Sequence, residues 1–151
     1  MRHSIHSHCA GAQVVPSHLK DEVAQSIKSV VIKPARGAAP RIRDAILGNL
    51  KASGWSGKFP VAKGSDITIT AVREDVGLCL QTGNMARMYA DLIKLQTLYL
   101  DNAIRAAVLV VPSEPVALLL GSNIAQAKRL ERELSIFKKA YHVPTLIYAL
   151  E

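Results

Sequence analysis

The chain has 151 residues, with 19 Lys or Arg against 12 Asp or Glu and a formal net charge of +7. Apolar residues make up 49% and charged residues 21%, the mix of a globular protein. That mix excludes a disordered tail, a collagen-like fibre and a disulfide scaffold. The length suits one domain over residues 1–151, long enough to bury roughly two-thirds of its unfolded surface.

No apolar run reaches the roughly 18 residues that a membrane span needs. Met1–Ala10 is polar and His-rich, with no apolar core of a secretion signal. Cys9 and Cys79 lie far apart and form no CxxC pair. A reduced, cytoplasmic protein is expected, with a disulfide between the two as the other reading. The charge is unevenly placed. Met1–Ser65 holds ten bases and three acids, a net of +7, whereas Asp66–Glu151 holds nine of each. A basic stretch runs from Lys28 to Lys63 with Asp44 as its one acid. Two readings stand: a footprint for phosphates, or charge that solvates helix and loop surfaces.

In chain order, Pro16–Ile32 reads as an amphipathic helix on Leu19, Val23, Ile27 and Val30, with Ser17 as N-cap. Lys33–Pro40 is a basic connection. Pro40–Ala52 is a second helix on Ile42, Ile46, Leu47 and Leu50, ended by Gly54. Ile67–Val72 and Val76–Gln81 form a hairpin turning at Arg73, Glu74 and Asp75. Asn84 caps a helix on Met85, Met88, Leu92, Leu95 and Tyr99. Ala106–Val111 is a buried strand stopped by Pro112. Val116–Leu120 is either a loop patch or a further element. Asn123–Ala140 is a helix on Ile124, Ala127, Leu130, Leu134 and Phe137, and Thr145–Leu150 is the last strand. The expected fold class is α/β: a mixed sheet, hairpin followed by β-α-β units, flanked by helices.

Several segments resemble BglII-type restriction endonucleases. His6–Gly11 is similar to their S-H-x-x-G start. Gly54-Trp55 resembles the G-W before their catalytic hairpin. Leu78–Asn84 resembles the strand end E-V-Q-x-G-[NK], and Tyr89–Lys94 the Y-x-D-L-x-K of the next helix. The resemblance covers residues 4–111 in scattered pieces and implies a restriction-endonuclease-like fold. It further implies a duplex-DNA partner, a homodimer and, if the chain is active, Mg²⁺-dependent phosphodiester hydrolysis. No Walker A loop and no GxGxxG follow a strand, so no nucleotide cofactor is expected.

The same resemblance assigns the site. The family's Gln falls on Gln81, and its metal-binding Glu two residues earlier falls on Cys79, a soft ligand poorly suited to Mg²⁺. Its Asp, at the opening of the first hairpin strand, corresponds to Asp66, the expected metal ligand and catalytic partner of Gln81. A hairpin turning at Glu74-Asp75 nevertheless sets a residue near Thr70, not Asp66, opposite Cys79. The implied catalytic centre is degenerate, with Gln81 kept and the acids lost or displaced. The expected phosphate contacts are Arg36, Arg41, Arg43, Lys51, Lys58, Lys63, Asn84 and Arg87. Asn84 has a second reading as helix cap, Asp91/Lys94 reads as a helical ion pair, and Cys79 as a buried thiol. His6, His8 and Cys9 have a metal reading beside that of a plain polar segment. A non-catalytic interaction module on the same fold, using an exposed Leu118–Leu120 patch, is the alternative function.

Overall fold

A computed structural model describes all residues, Met1–Glu151. In chain order the elements are β1 (His3–His8), α1 (Gly11–Val14), α2 (Ser17–Lys28), α3 (Ala39–Ala52), β2 (Phe59–Pro60), β3 (Thr68–Ile69), β4 (Ala71–Arg73), β5 (Val76–Leu80), α4 (Met85–Leu100), β6 (Ala106–Pro112), α5 (Glu114–Leu120), α6 (Ala127–Ile136) and β7 (Thr145–Leu150). The main sheet has the order β1-β7-β6-β5-β4. Its centre is parallel, β5 to β6 to β7, and both edges are antiparallel. β2 and β3 form a separate two-stranded ribbon. The expected mixed sheet with flanking helices is therefore present.

Period-two alternation sends successive strand residues to opposite faces, and both faces are covered. Val76, Leu78, Leu80, Val108, Val110, Leu146 and Tyr148 pack into one buried layer with Leu19, Val23 and Ile27 of α2 and Ile42, Ile46 and Leu50 of α3. Cys79, Ala107, Leu109, Val111 and Ile147 face the other layer, with Met88, Leu92 and Leu95 of α4 and Leu130 and Leu134 of α6. This explains why β6 and β7 read as unbroken apolar runs: strands covered on both faces carry no polar alternation.

Three local expectations change, and one open alternative is decided. Ser17 is the first helical residue, not the cap; Pro16 stands at the cap position and no side chain caps α2. The first hairpin strand is interrupted at Thr70, whose Oγ1 accepts the Leu80 N–H at 3.1 Å. Of the two readings of residues 116–120, the further element is present: helix α5 covers Glu114–Leu120, with Leu118 and Leu119 exposed and Leu120 buried. α6 covers only Ala127–Ile136, because residues 123–125 turn back to pair with the start of α4: Asn84 bridges Ile124, and Ala125 donates to the Gly83 carbonyl at 2.8 Å.

Two family-like segments prove to be structural locks. Gly54 (φ 95°) ends α3 with its N–H on the Lys51 carbonyl, and the Trp55 N–H reaches the Leu50 carbonyl, the paired bonds of a Schellman motif. Trp55 is buried and its Nε1 donates to Glu22 at 3.0 Å; Glu22 in turn meets Arg73 at 3.2 Å. At the N-terminus, Ser7 Oγ accepts the Ala12 N–H, and the buried His8 donates from Nε2 to the Tyr141 carbonyl at 3.0 Å. A Cβ on Gly11 would stand 2.2 Å from the Thr145 carbonyl oxygen, so only glycine fits there.

Candidate functional site

The carboxyl end of β5 opens into a cleft of about 480 Å³, the region where open α/β sheets place ligands. One wall is the start of α3, with Ala39, Pro40, Arg43 and Leu47. The floor is Thr68–Thr70 with Leu80–Gly83, and Lys58 lies at the rim beside β2. The opposite wall is α4, which contributes Arg87, Asp91 and Lys94. These three sit at i, i+4 and i+7, one face of a helix. Thr82 is buried, and its hydroxyl makes a long 3.4 Å bond to the Ala39 carbonyl across the cleft.

A hydrogen-bonded chain runs through the floor. Lys94 Nζ donates to Asp91 Oδ1 at 3.0 Å, and Gln81 Nε2 donates to Asp91 Oδ2 at 3.1 Å. Gln81 Oε1 then accepts the Gly83 N–H at 3.0 Å. Asp91 is 7% exposed. A carboxylate this buried requires such partners, since an unpaired buried charge is costly. The chain fixes the β5–α4 junction and holds Lys94 toward the cleft. Four cationic side chains and one carboxylate line the cleft. The cleft is therefore electropositive, with Lys94 partly buried and Arg43, Lys58 and Arg87 exposed.

The structure divides the expected residues. Arg43, Lys58, Gln81 and Arg87 line the cleft. Arg36, Arg41, Lys51 and Lys63 are exposed elsewhere. Asp66 is exposed, two residues before β3, and does not line the cleft. Asn84 is the helix cap: its Oδ1 accepts the Ala86 N–H at 2.8 Å. Ladder register (Ala71 opposite Leu78) puts Thr70 opposite Cys79 at its next step, as the turn at Glu74-Asp75 implied. Both cysteines are free thiols, and burial pushes the Cys79 thiol far above its ordinary value. His8 and Cys9 touch, with Cys9 Sγ 3.2 Å from His8 Nε2, but no group of three His, Cys, Asp or Glu side chains is placed to hold a metal. Lys94, Asp91 and Thr70 were not among the site residues read from the sequence. Their signal was an acid inside the otherwise apolar stripe Met88, Leu92, Leu95.

A family model described as restriction endonuclease BglII/BglIII matches residues 3–150. The chain belongs to that family. A solved structure of restriction endonuclease BglII complexed with a DNA 16-mer is similar with a TM-score of 0.86 at 14% identity, over 100% of this chain and 78% of that one. Free BglII is similar with a TM-score of 0.72 at 14% identity, over 100% of this chain and 80% of that one. No curated protein matches the sequence. No helix is long and apolar enough to cross a membrane.

The magnesium ion that the resemblance implies does not fit the donors present. Mg²⁺ is held by hard oxygens, carboxylates above all. The position that would supply the Glu is the thiol of Cys79, fully buried and kept protonated. Thr70 Oγ1 is engaged with the Leu80 N–H, and both Asp91 oxygens are engaged with Gln81 and Lys94.

Proposed function

We propose that this chain is a duplex-DNA-binding protein on the restriction-endonuclease fold, one that does not cleave the DNA it holds. Residues 1–151 act as one domain in this reading, because one sheet joins β1 to β7 and β4. The observation that carries it is the convergence of Lys58, Arg87 and Lys94, with Arg43 (itself bonded to Asp44) on the α3 wall, on a cleft whose one carboxylate is already neutralised. Phosphate neutralisation by such side chains supplies non-specific affinity and orientation on the duplex. Arg36, Arg41, Lys51 and Lys63, exposed outside the cleft, extend the basic surface. A homodimer, as the family relationship suggests, would offer two such clefts to a palindromic duplex. The free thiols suit a reducing, cytoplasmic setting.

Fluorescence anisotropy with a mixed-sequence duplex over a salt series tests the binding. A linear fall of log affinity with log salt, steep enough for several phosphates, is the expected result. A plasmid-nicking assay with Mg²⁺ or Mn²⁺ is expected to show intact plasmid, and linearised plasmid would restore the nuclease reading. One observation favours a second reading: Leu118 is 76% and Leu119 55% exposed on α5, an apolar pair that a protein partner would cover. Light scattering of the purified chain, at rising concentration, checks self-association through it.

A further inference from the structure

We propose that Lys94 takes the place of a divalent cation in the cleft, so that a DNA backbone phosphate is held there without any metal ion. This deepens the DNA-binding reading and rests on it. The poor fit of Mg²⁺ to the donors is one half of the argument. The other half is what stands against the lone carboxylate. Lys94 Nζ lies 3.0 Å from Asp91 Oδ1, with the lysine side chain 26% exposed and the aspartate side chain 10% exposed. An ammonium group carries three donors and no acceptor. One is used on Asp91, and no other acceptor is bonded to Lys94. Two N–H groups therefore remain for oxygens arriving from the cleft.

A metal ion bridging a carboxylate and a phosphate does the same thing electrostatically: it binds both oxygens and offsets their repulsion. Lys94 does so with a single charge fixed by covalent attachment. The Gln81 amide keeps Asp91 from turning away, because it holds the second carboxylate oxygen at 3.1 Å. Arg87, one helical turn before Asp91 on the same face, adds a second cation from the cleft wall. The ensemble suits a phosphodiester, which carries one negative charge, better than a free divalent cation, which Lys94 and Arg87 would repel.

The test compares duplex binding in EDTA with binding in millimolar Ca²⁺ at matched ionic strength. The native chain is expected to keep the same affinity within about twofold. Lys94→Met is expected to lose about tenfold in EDTA and to flatten the salt slope by about one phosphate equivalent. Calcium should regain part of that loss, because Asp91 is then free to take an ion. Lys94→Arg should retain most of the native affinity. Lys94→Gln, which keeps a donor to Asp91 without the charge, serves if the Met variant unfolds.

A rise of about tenfold in native affinity on adding Ca²⁺ would overturn the proposal while leaving DNA binding intact. So would an unchanged affinity and slope in both uncharged variants. If the native chain binds no duplex even at low salt, the DNA-binding reading fails by itself. Calorimetric titration with Mn²⁺ alone then judges the cation assignment. Binding heat with the native chain would overturn it, and heat seen only in the Lys94 variants would support it.

Discussion

Gln81 and Asp91 are joined at 3.1 Å across the junction between β5, which Gln81 directly follows, and the second turn of α4. The bond is charge-assisted, and Gln81 also accepts from the Gly83 backbone. Gln81 thus serves the architecture of the cleft, whatever passes through it. Gln81→Ala removes a bond to a buried charge, which costs about 2 kcal/mol in typical series. Urea denaturation should show a loss of that size. The cleft should also loosen, with duplex affinity lower at constant salt slope, because no phosphate contact is removed.

Arg87 separates binding from folding. It is exposed in the first turn of α4, where the helix dipole disfavours a cation. Arg87→Glu should therefore raise the thermal midpoint slightly while duplex affinity falls by about tenfold or more. Calorimetry and anisotropy on the same sample check the two signs. Parallel losses in both would mean that Arg87 holds the structure and not the phosphate.

In the proposed reading, Thr70 and Cys79 stand opposite each other on the ladder where two metal-binding acids would be. Installing Thr70→Asp together with Cys79→Glu sets two carboxylates side by side on the ladder, beneath the cleft. Cys79 is fully buried, so the added acid needs a counter-charge. The double variant should unfold at a lower temperature than the native chain in EDTA and recover on adding Mn²⁺, by the linkage between binding and stability. A midpoint unmoved by Mn²⁺ would place the missing acids elsewhere.

Gly11→Ala tests the N-terminal lock. The new methyl would meet the Thr145 backbone at 2.2 Å. Neither side can yield by a rotamer change, because the obstacle is main chain. Overpacking of this kind costs about 3 kcal/mol, and guanidinium denaturation should show at least that. Gly57→Ala, where an added Cβ meets nothing within 4 Å, is the matched control.

Acid should weaken the same lock. Burial is the main cause that lowers the His8 pKa below its ordinary 6.5, and His6 and Lys138 add to it. The folded chain thus resists protonation that the unfolded chain accepts. The stability from neutral His8 is complete above about pH 6.5 and is lost as the pH falls from there toward the lowered native value. His3 is shifted the same way, by burial and then by Lys28. Denaturation midpoints measured from pH 7.5 to 5 should fall with acid, and His8→Gln should flatten the fall.

Much of the frame was readable in the residues because burial on both sheet faces imposes a simple rule. β6 and β7 announce themselves as apolar runs, and α2, α3 and α4 by their stripes. β1 gave no such signal. It is an edge strand in which only His8 is buried, and polar side chains there are compatible with pairing and solvent alike. The split of the first hairpin strand at Thr70 depends on one hydroxyl meeting one N–H, which no periodicity encodes. The position of Asp66 outside the cleft could not be read from the residues, because an acid before a strand looks the same whether it turns inward or out. Asp91 was visible as half of an ion pair, but its place in the cleft depends on how α4 crosses the end of β5. The Gly54-Trp55 and S-H-x-x-G segments were legible as family text, and the structure gives them mechanical duties.

The pairing of β1 with β7 has a consequence for how the protein is made. His3 lies opposite Leu150 and His8 opposite Thr145, so β7 fills the gap between the first strand and the rest of the sheet. That interior position is occupied by a strand that is made after both of its neighbours. Until then β1 has no partner, and the apolar faces of β6 lack one neighbour. The sheet cannot close until residues 145–150 have been made, and a chain lacking them is missing an inner strand instead of a frayed end. Such a chain exposes β6 along its length, a surface that invites pairing with another copy.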